Sequence, residues 1–286
     1  KIMGRVVTLL LLGLFLVLSA VEVKLYGELL TTAFLTETPQ IVFLFLIVLL
    51  AVVCVFLGVE VLGRMADIIM GVFIIMFAGI FFISLRYIDL QNLQPIFVRG
   101  WSPVLSGSII PIALVSQSWV IGMLNVTTVN EEKSFWVPIT SIGSSLILLI
   151  IIAIVVVGVI GPHEGARSVF PIFTLMRSVV LTQFLQRTES LVVFGWGMGL
   201  FIYVSTYLYS GASGLARWLN LDDYRPLLPL MGVIWVIVVH YRFKTIFVLQ
   251  WLLSPEIFGR IGILILIIPL FFLWLALGLK NEQKGG

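Results

Sequence analysis

Charge is scarce in this chain. Only 11% of its 286 residues are Asp, Glu, Lys or Arg, against about 25% in a soluble domain. So few charges cannot clothe a surface for water, which excludes a soluble globular domain. They also nearly cancel, 17 basic against 14 acidic, and form no basic run, so nucleic acid is not an expected partner. Cysteine occurs once, at Cys54 in the middle of an apolar stretch; an intrachain disulfide is excluded and the thiol reads as a small packing group. His163 and His240 have no second His, Cys or carboxylate at ligand spacing, so neither a metal site nor a cofactor is expected. GxSxG, P-loop and HExxH patterns are absent and no nucleophile–base pair stands out, so the chain is not read as an enzyme.

Apolar residues are abundant. They make up 60% of the chain, with 21 Phe, 8 Trp and 7 Tyr, and the mean hydropathy is +1.18. A membrane-spanning helix needs about 20 mostly apolar residues. Eight stretches qualify: 5–34, 40–60, 65–86, 103–128, 135–161, 184–215, 225–242 and 257–279. Strand alternation is absent, so the expectation is an all-α polytopic protein in a lipid bilayer, not a barrel. Thr38 is placed to cap and Pro39 to open the second helix, and "GRMAD" to turn between the second and third. The first run is too long for a signal peptide and carries Glu22, Lys24 and Glu28 with no small-residue cleavage site before them. Beginning at Lys1 without Met, the chain reads as a fragment. Lys and Arg divide 8 against 9 between the two sides of an eight-span chain, so the positive-inside rule does not orient it.

Polar residues inside the spans mark where chemistry can sit. The fourth span holds Pro111 and then Ser116, Gln117 and Ser118. Pro111 removes a helix hydrogen bond, and irregular backbone at membrane depth is tolerated where it is buried or lines a cavity. A non-helical or kinked residue is expected between Pro111 and Trp119; the competing reading is a Pro-kinked helix whose serines bond their own backbone. The sixth span holds Gly195, Gly197 and Gly199, which admit a close neighbour, and then Tyr203, Ser205, Thr206 and Tyr207. Tyr203 and Tyr207 share a face; such hydroxyls can meet a ligand or join helices. In the first span, Lys24 and Glu28 fall at the far interface and can pair, whereas Glu22 lies deeper and needs a partner. Glu60 and Arg64 read as an ordinary pair at a helix end.

Between the fifth and sixth spans the apolar text breaks for "VFPIFTLMRSVVLTQFLQRTESLVVFGW". Residues 169–179 are expected to form a short amphipathic helix near the membrane surface, on the side away from Lys1, with Phe170, Phe173 and Leu175 down and Arg177 up. "FPIFTLMRSV", "FLQRTES" and a Trp-containing span, with Pro171, Arg177, Arg187 and Glu189 in place, resemble the spore germination permease family, the B subunits of GerA-type nutrient receptors. "VEVKLYGELLTTAFLTETP", with Glu22, Lys24 and Glu28, resembles the family's third helix. "YIDLQNLQPIFVRGWSPVLSGS", with Asn92, Leu93, Pro95 and Pro103, resembles the family's loop.

The resemblance implies the inverted-repeat fold of the amino acid–polyamine–organocation superfamily, the LeuT-like fold, lacking its first two helices. Residues 5–86 would be helices three to five of the first repeat, and 103–279 the complete second repeat, all in a single membrane domain over 1–286. The ligand-facing positions carried over are Leu14, Leu18, Tyr203 and Tyr207, beside the break at Ser116, Gln117 and Ser118. Leu14 and Tyr203 depart from the Tyr and Thr of some members, and Trp119 replaces an acidic residue. Glu22, Pro171, Arg177, Arg187 and Glu189 would be structural or coupling residues. The implied function is a subunit that senses a small nutrient, an amino acid, in the spore inner membrane together with receptor A and C subunits, its Lys1 side cytoplasmic. The alternatives are an ion-coupled amino acid transporter and a structural subunit with a vestigial site.

Overall fold

The computed structural model describes residues 2–95, 100–124, 131–179, 189–242, 246–267 and 270–271; every regular element among them is helical. Among the described residues, six helices are long and apolar enough to cross a membrane: Leu9–Ala33, Gln40–Leu57, Val59–Tyr87, Ser102–Gly122, Trp136–Arg167 and Glu189–Leu219. These correspond to the first six expected spans. The seventh differs. Residues 225–242 form a 3-10 turn, Arg225–Leu227, and a 15-residue helix, Leu228–Arg242, about 22 Å long and short of the roughly 30 Å hydrocarbon layer. The eighth is helical over 260–267 and 270–271, and 268–269 and 272–279 lie outside the described residues.

Helix α1 spans Ile2–Ala33. Around its centre Leu18, Ser19, Ala20, Val21, Val23 and Lys24 are all buried. Helices α2 (Gln40–Leu57) and α3 (Val59–Ser84) follow, and their boundary departs from the expectation. The joint is Gly58, at φ 115°, a conformation open to glycine, so "GRMAD" continues α3 instead of turning. Thr38 does not cap α2; Pro39 holds the cap position with no side-chain bond. The end of α2 is closed from far along the chain. Tyr224 Oη donates to the Val55 carbonyl at 3.2 Å and Arg225 Nε to the Phe56 carbonyl at 3.0 Å, satisfying acceptors a helix terminus leaves open.

Helices α4 (Ser102–Ser116), α5 (Val120–Met123), α6 (Glu131–Arg167), α7 (Pro171–Ser178) and α8 (Glu189–Leu219) complete the part that frames the site. α6 breaks at Gly161, φ 80°, just before Pro162. Pro162 has no N–H to give the Gly158 carbonyl four residues back. That carbonyl is taken instead by the Asp89 N–H at 2.9 Å and Asn92 Nδ2 at 3.1 Å. Asn92 thus pins the loop after α3 to the end of α6. Helix α9 (Leu228–Arg242) packs with α1, α2 and α8 around Phe15, Leu44, Val48, Leu208 and Trp235. Apolar side chains gain little by leaving lipid for protein, so close packing and polar contacts hold such helices together.

One polar contact joins α1 to α2. Lys24 Nζ donates to Gln40 Oε1 and pairs with Glu28 at 3.0 Å, and Gln40 Nε2 donates to the Lys24 carbonyl at 3.2 Å. The expected Lys24–Glu28 pair is therefore present, extended by Gln40. Glu60 and Arg64 also pair, at 2.6 Å, and stay exposed.

Candidate ligand site

The site begins at the break in α4. Pro111 lies inside the helix, which runs on to Ser116. There the backbone tightens into a 3-10 turn, Gln117–Trp119, before α5 resumes at Val120. This tightening falls in the window marked by Pro111 and the Ser-Gln-Ser step, but Ser116, Gln117 and Val120 keep right-handed helical dihedrals, so the helix narrows there without a non-helical residue; residues 125–128 of the expected span lie outside the described residues. The three polar residues separate in role. Ser116 is buried and its Oγ donates to the Ala113 carbonyl at 2.7 Å, inside its own helix. Gln117 and Ser118 face a cavity of about 450 Å³ between α4, α6 and α8, within the size range of small-ligand pockets.

Tyr203 and Tyr207 enter the same cavity from α8. Their hydroxyls both donate to Gln117 Oε1, at 2.8 and 3.0 Å, and their rings meet edge to face at 4.5 Å. The tyrosines therefore join helices and line a cavity at once. With its oxygen occupied twice, Gln117 keeps its amide N–H groups for another partner. Ser118 and Thr206 add hydroxyls to the lining, while Ser141 and Ser145, also lining residues, bond back into α6. No charged side chain lines this cavity among the described residues. The Glu22 carboxylate is nevertheless close enough to act electrostatically on both phenols.

Leu14 and Leu18 sit elsewhere. They pack with Ile110, Ala113, Leu253 and Phe258 and are not among the residues that line this cavity. From α1 it is Phe15 that reaches the tyrosines, its ring stacked on Tyr207 at 4.8 Å. Phe15 is one apolar letter within "LLLLGLFLVLS", and nothing in the sequence distinguishes it. The close neighbours of Gly195, Gly197 and Gly199 are side chains, Met76, Tyr26 and Phe73 respectively.

Helix α7 begins with Pro171 at its first position, where a missing N–H costs nothing. Phe173, Leu175 and Met176 are buried and Arg177 is exposed, its guanidinium 5.4 Å above the Phe173 ring. The apolar face covers protein, packing on the ends of α1, α3, α6 and α8. A second, apolar cavity of about 300 Å³ lies beneath α7, lined by Phe73, Phe170, Phe173 and Trp196; Gly199 lines this cavity and the polar one alike. Glu189 opens α8, where the helix dipole favours an acid. Arg187 lies outside the described residues.

These features define an integral membrane protein of packed helices with a polar pocket built beside a 3-10 turn within a membrane helix. The chain belongs to the spore germination protein family, whose model matches residues 1–247. It is 24% identical over 285 residues to spore germination protein A2 of Bacillus subtilis strain 168, covering 99% of this chain and 76% of that protein. Spore germination protein YndE of the same organism is 23% identical over 273 residues, covering 94% and 75%. Spore germination protein KB, again of Bacillus subtilis, is 28% identical over 205 residues, covering 70% and 55%. No solved structure matches the chain significantly.

Proposed function

We propose that this chain is a nutrient-sensing membrane subunit of a spore germination receptor and that the pocket at Gln117, Ser118, Tyr203 and Tyr207 receives the nutrient, an amino acid. The observation that carries the reading is the pair of phenol donors converging on Gln117 Oε1 at the α4 break. It leaves directed, unused N–H donors facing a cavity inside an apolar protein. An inverted-repeat fold of the LeuT type in one membrane domain goes with this reading, since such folds build their sites on irregular membrane helices. In it, 5–86 would be three helices of one repeat and 103–279 the whole of the other. Binding shifts a conformational equilibrium by the difference in affinity for its two states, and A and C subunits of the receptor in the spore inner membrane read the shift. Pro171, Arg177, Arg187 and Glu189 would couple the α7 region to the pocket. An ion-coupled transporter is the second reading, favoured by the carboxylate of Glu22 within the membrane.

The test is the intact receptor in proteoliposomes supplied with labelled amino acids. Saturable binding without uptake is expected. Concentrative uptake would make the protein a transporter, and neither binding nor uptake would leave it a structural subunit.

A further inference from the structure

The Glu22 carboxylate sits on the buried middle of α1, flanked by the buried Val21 and Val23, and is itself half-buried. Among the described residues no hydrogen bond or ion pair reaches it. Lys24 is not its partner, being held by Glu28 and Gln40 and pointing elsewhere, since residues two apart on a helix do not face each other. An ionisable group left alone at this depth is costly and marks a functional position.

Its place can be fixed from its neighbours. α1 and α8 run antiparallel: Phe15 stacks on Tyr207, and Tyr26 packs on Gly197. Glu22 is seven residues after Phe15 and four before Tyr26, so it falls opposite 199–203. Tyr203 falls in this window and lines the polar cavity, and the carboxylate is close enough to act electrostatically on the Tyr203 and Tyr207 phenols. The Glu22 carboxyl group therefore lies beside the phenols of a pocket whose own polar lining groups are neutral: the Gln117 amide N–H groups, the Ser118 and Thr206 hydroxyls and the two phenols.

We infer that Glu22 is the acceptor for the ammonium group of the ligand, which makes this a site for a zwitterion bearing a free α-amine. This deepens the reading of the pocket given above and rests on it. The two ends of an amino acid have matching partners. The carboxylate takes the N–H donors of Gln117 and the Ser118 hydroxyl, as an acceptor-only group must. The ammonium, donor-only, takes the Glu22 carboxylate, which supplies the counter-charge the rest of the lining lacks.

The experiment measures thermal stabilisation of the intact receptor in nanodiscs by two probes, an equimolar mixture of the standard amino acids and the same mixture N-acetylated. Wild type is expected to respond to the free amines and not to the acetylated mixture. Glu22→Gln is expected to need about 10- to 150-fold more of the free amines, the range for a bond to a charged group. Glu22→Asp, which keeps the charge, should recover part of that loss. If Glu22→Gln folds and responds as wild type while Tyr207→Phe is weakened, the ammonium assignment fails and the pocket stands. If Glu22→Gln does not fold, the wild-type comparison decides: equal responses to free and acetylated amines overturn the proposal. A response to neither mixture overturns the pocket and the assignment together. A response to sodium ions alone would make the carboxylate an inorganic cation site and overturn the proposal too.

Discussion

Lys24 shows how a charge is kept inside this protein. Its ammonium, with a side chain only 7% exposed, is satisfied by Glu28 and Gln40. Removing it would strand the half-buried Glu28 carboxylate. Lys24→Met should therefore cost about 1–3 kcal/mol, the penalty of an unsatisfied group, seen as a lower unfolding temperature in detergent. Adding Glu28→Gln should return part of the loss, because the stranded charge goes with it. No recovery in the double variant would show that Lys24 acts through packing of its stem. Residue chemistry of this kind was legible in the sequence where a polar letter interrupts an apolar text: Lys24 with Glu28, Gln117, and the Tyr203–Tyr207 pair. It was not legible for Phe15. An apolar contact in an apolar helix leaves no local mark, and which face of α1 turns inward depends on the neighbours it meets.

At the scale of the element, the glycines of α8 separate by what they face. A Cβ at Gly197 would collide with the Tyr26 hydroxyl, which already donates to the Val193 carbonyl at 3.3 Å. A Cβ at Gly199 would meet only Phe73, at an ordinary 3.6 Å. Gly197→Ala should lose about 1–3 kcal/mol through overpacking. Gly199→Ala should be neutral, or gain up to about 1 kcal/mol from helix propensity. Subunit abundance in the membrane and unfolding temperature check both, and equal effects at the two positions would contradict the α1–α8 packing described here. The glycine run signalled a close approach; the partner, a side chain and not a backbone, depends on tertiary structure. The α2–α3 joint was misread for a related reason. "GRMAD" is polar and resembles a turn, but the backbone turns where φ 115° is reached, at Gly58. The joint after α6 belongs to the same scale. Asn92→Ala leaves the Gly158 carbonyl with the Asp89 N–H alone, at an expected cost of about 0.5–1.5 kcal/mol. Faster amide exchange of the loop over 85–93 would register it; unchanged exchange would mean Asn92 does not hold that loop.

For the whole molecule, hydropathy alone located six spans and a helical class, because the bilayer forces every backbone group to be satisfied within helices. The seventh stretch shows the limit of counting: 225–242 is apolar enough, but Pro226 and the closure of α2 by Tyr224 and Arg225 spend its first residues on a turn. The pocket was half visible. Its polar groups could be read from Gln117 and the tyrosines, whereas the convergence of both α8 phenols on the one Gln117 oxygen required the fold. The central claim is that this convergence receives the nutrient, and the most direct measurement is nutrient dose–response of spores carrying Tyr207→Phe, with subunit levels measured in parallel. Phenylalanine keeps the ring stacked on Phe15 and removes only the hydroxyl. The account predicts normal subunit levels and a roughly 2- to 12-fold rise in the nutrient concentration for half-maximal germination, the equivalent of about 0.5–1.5 kcal/mol for one neutral hydrogen bond. An unchanged dose–response at normal subunit levels would contradict it.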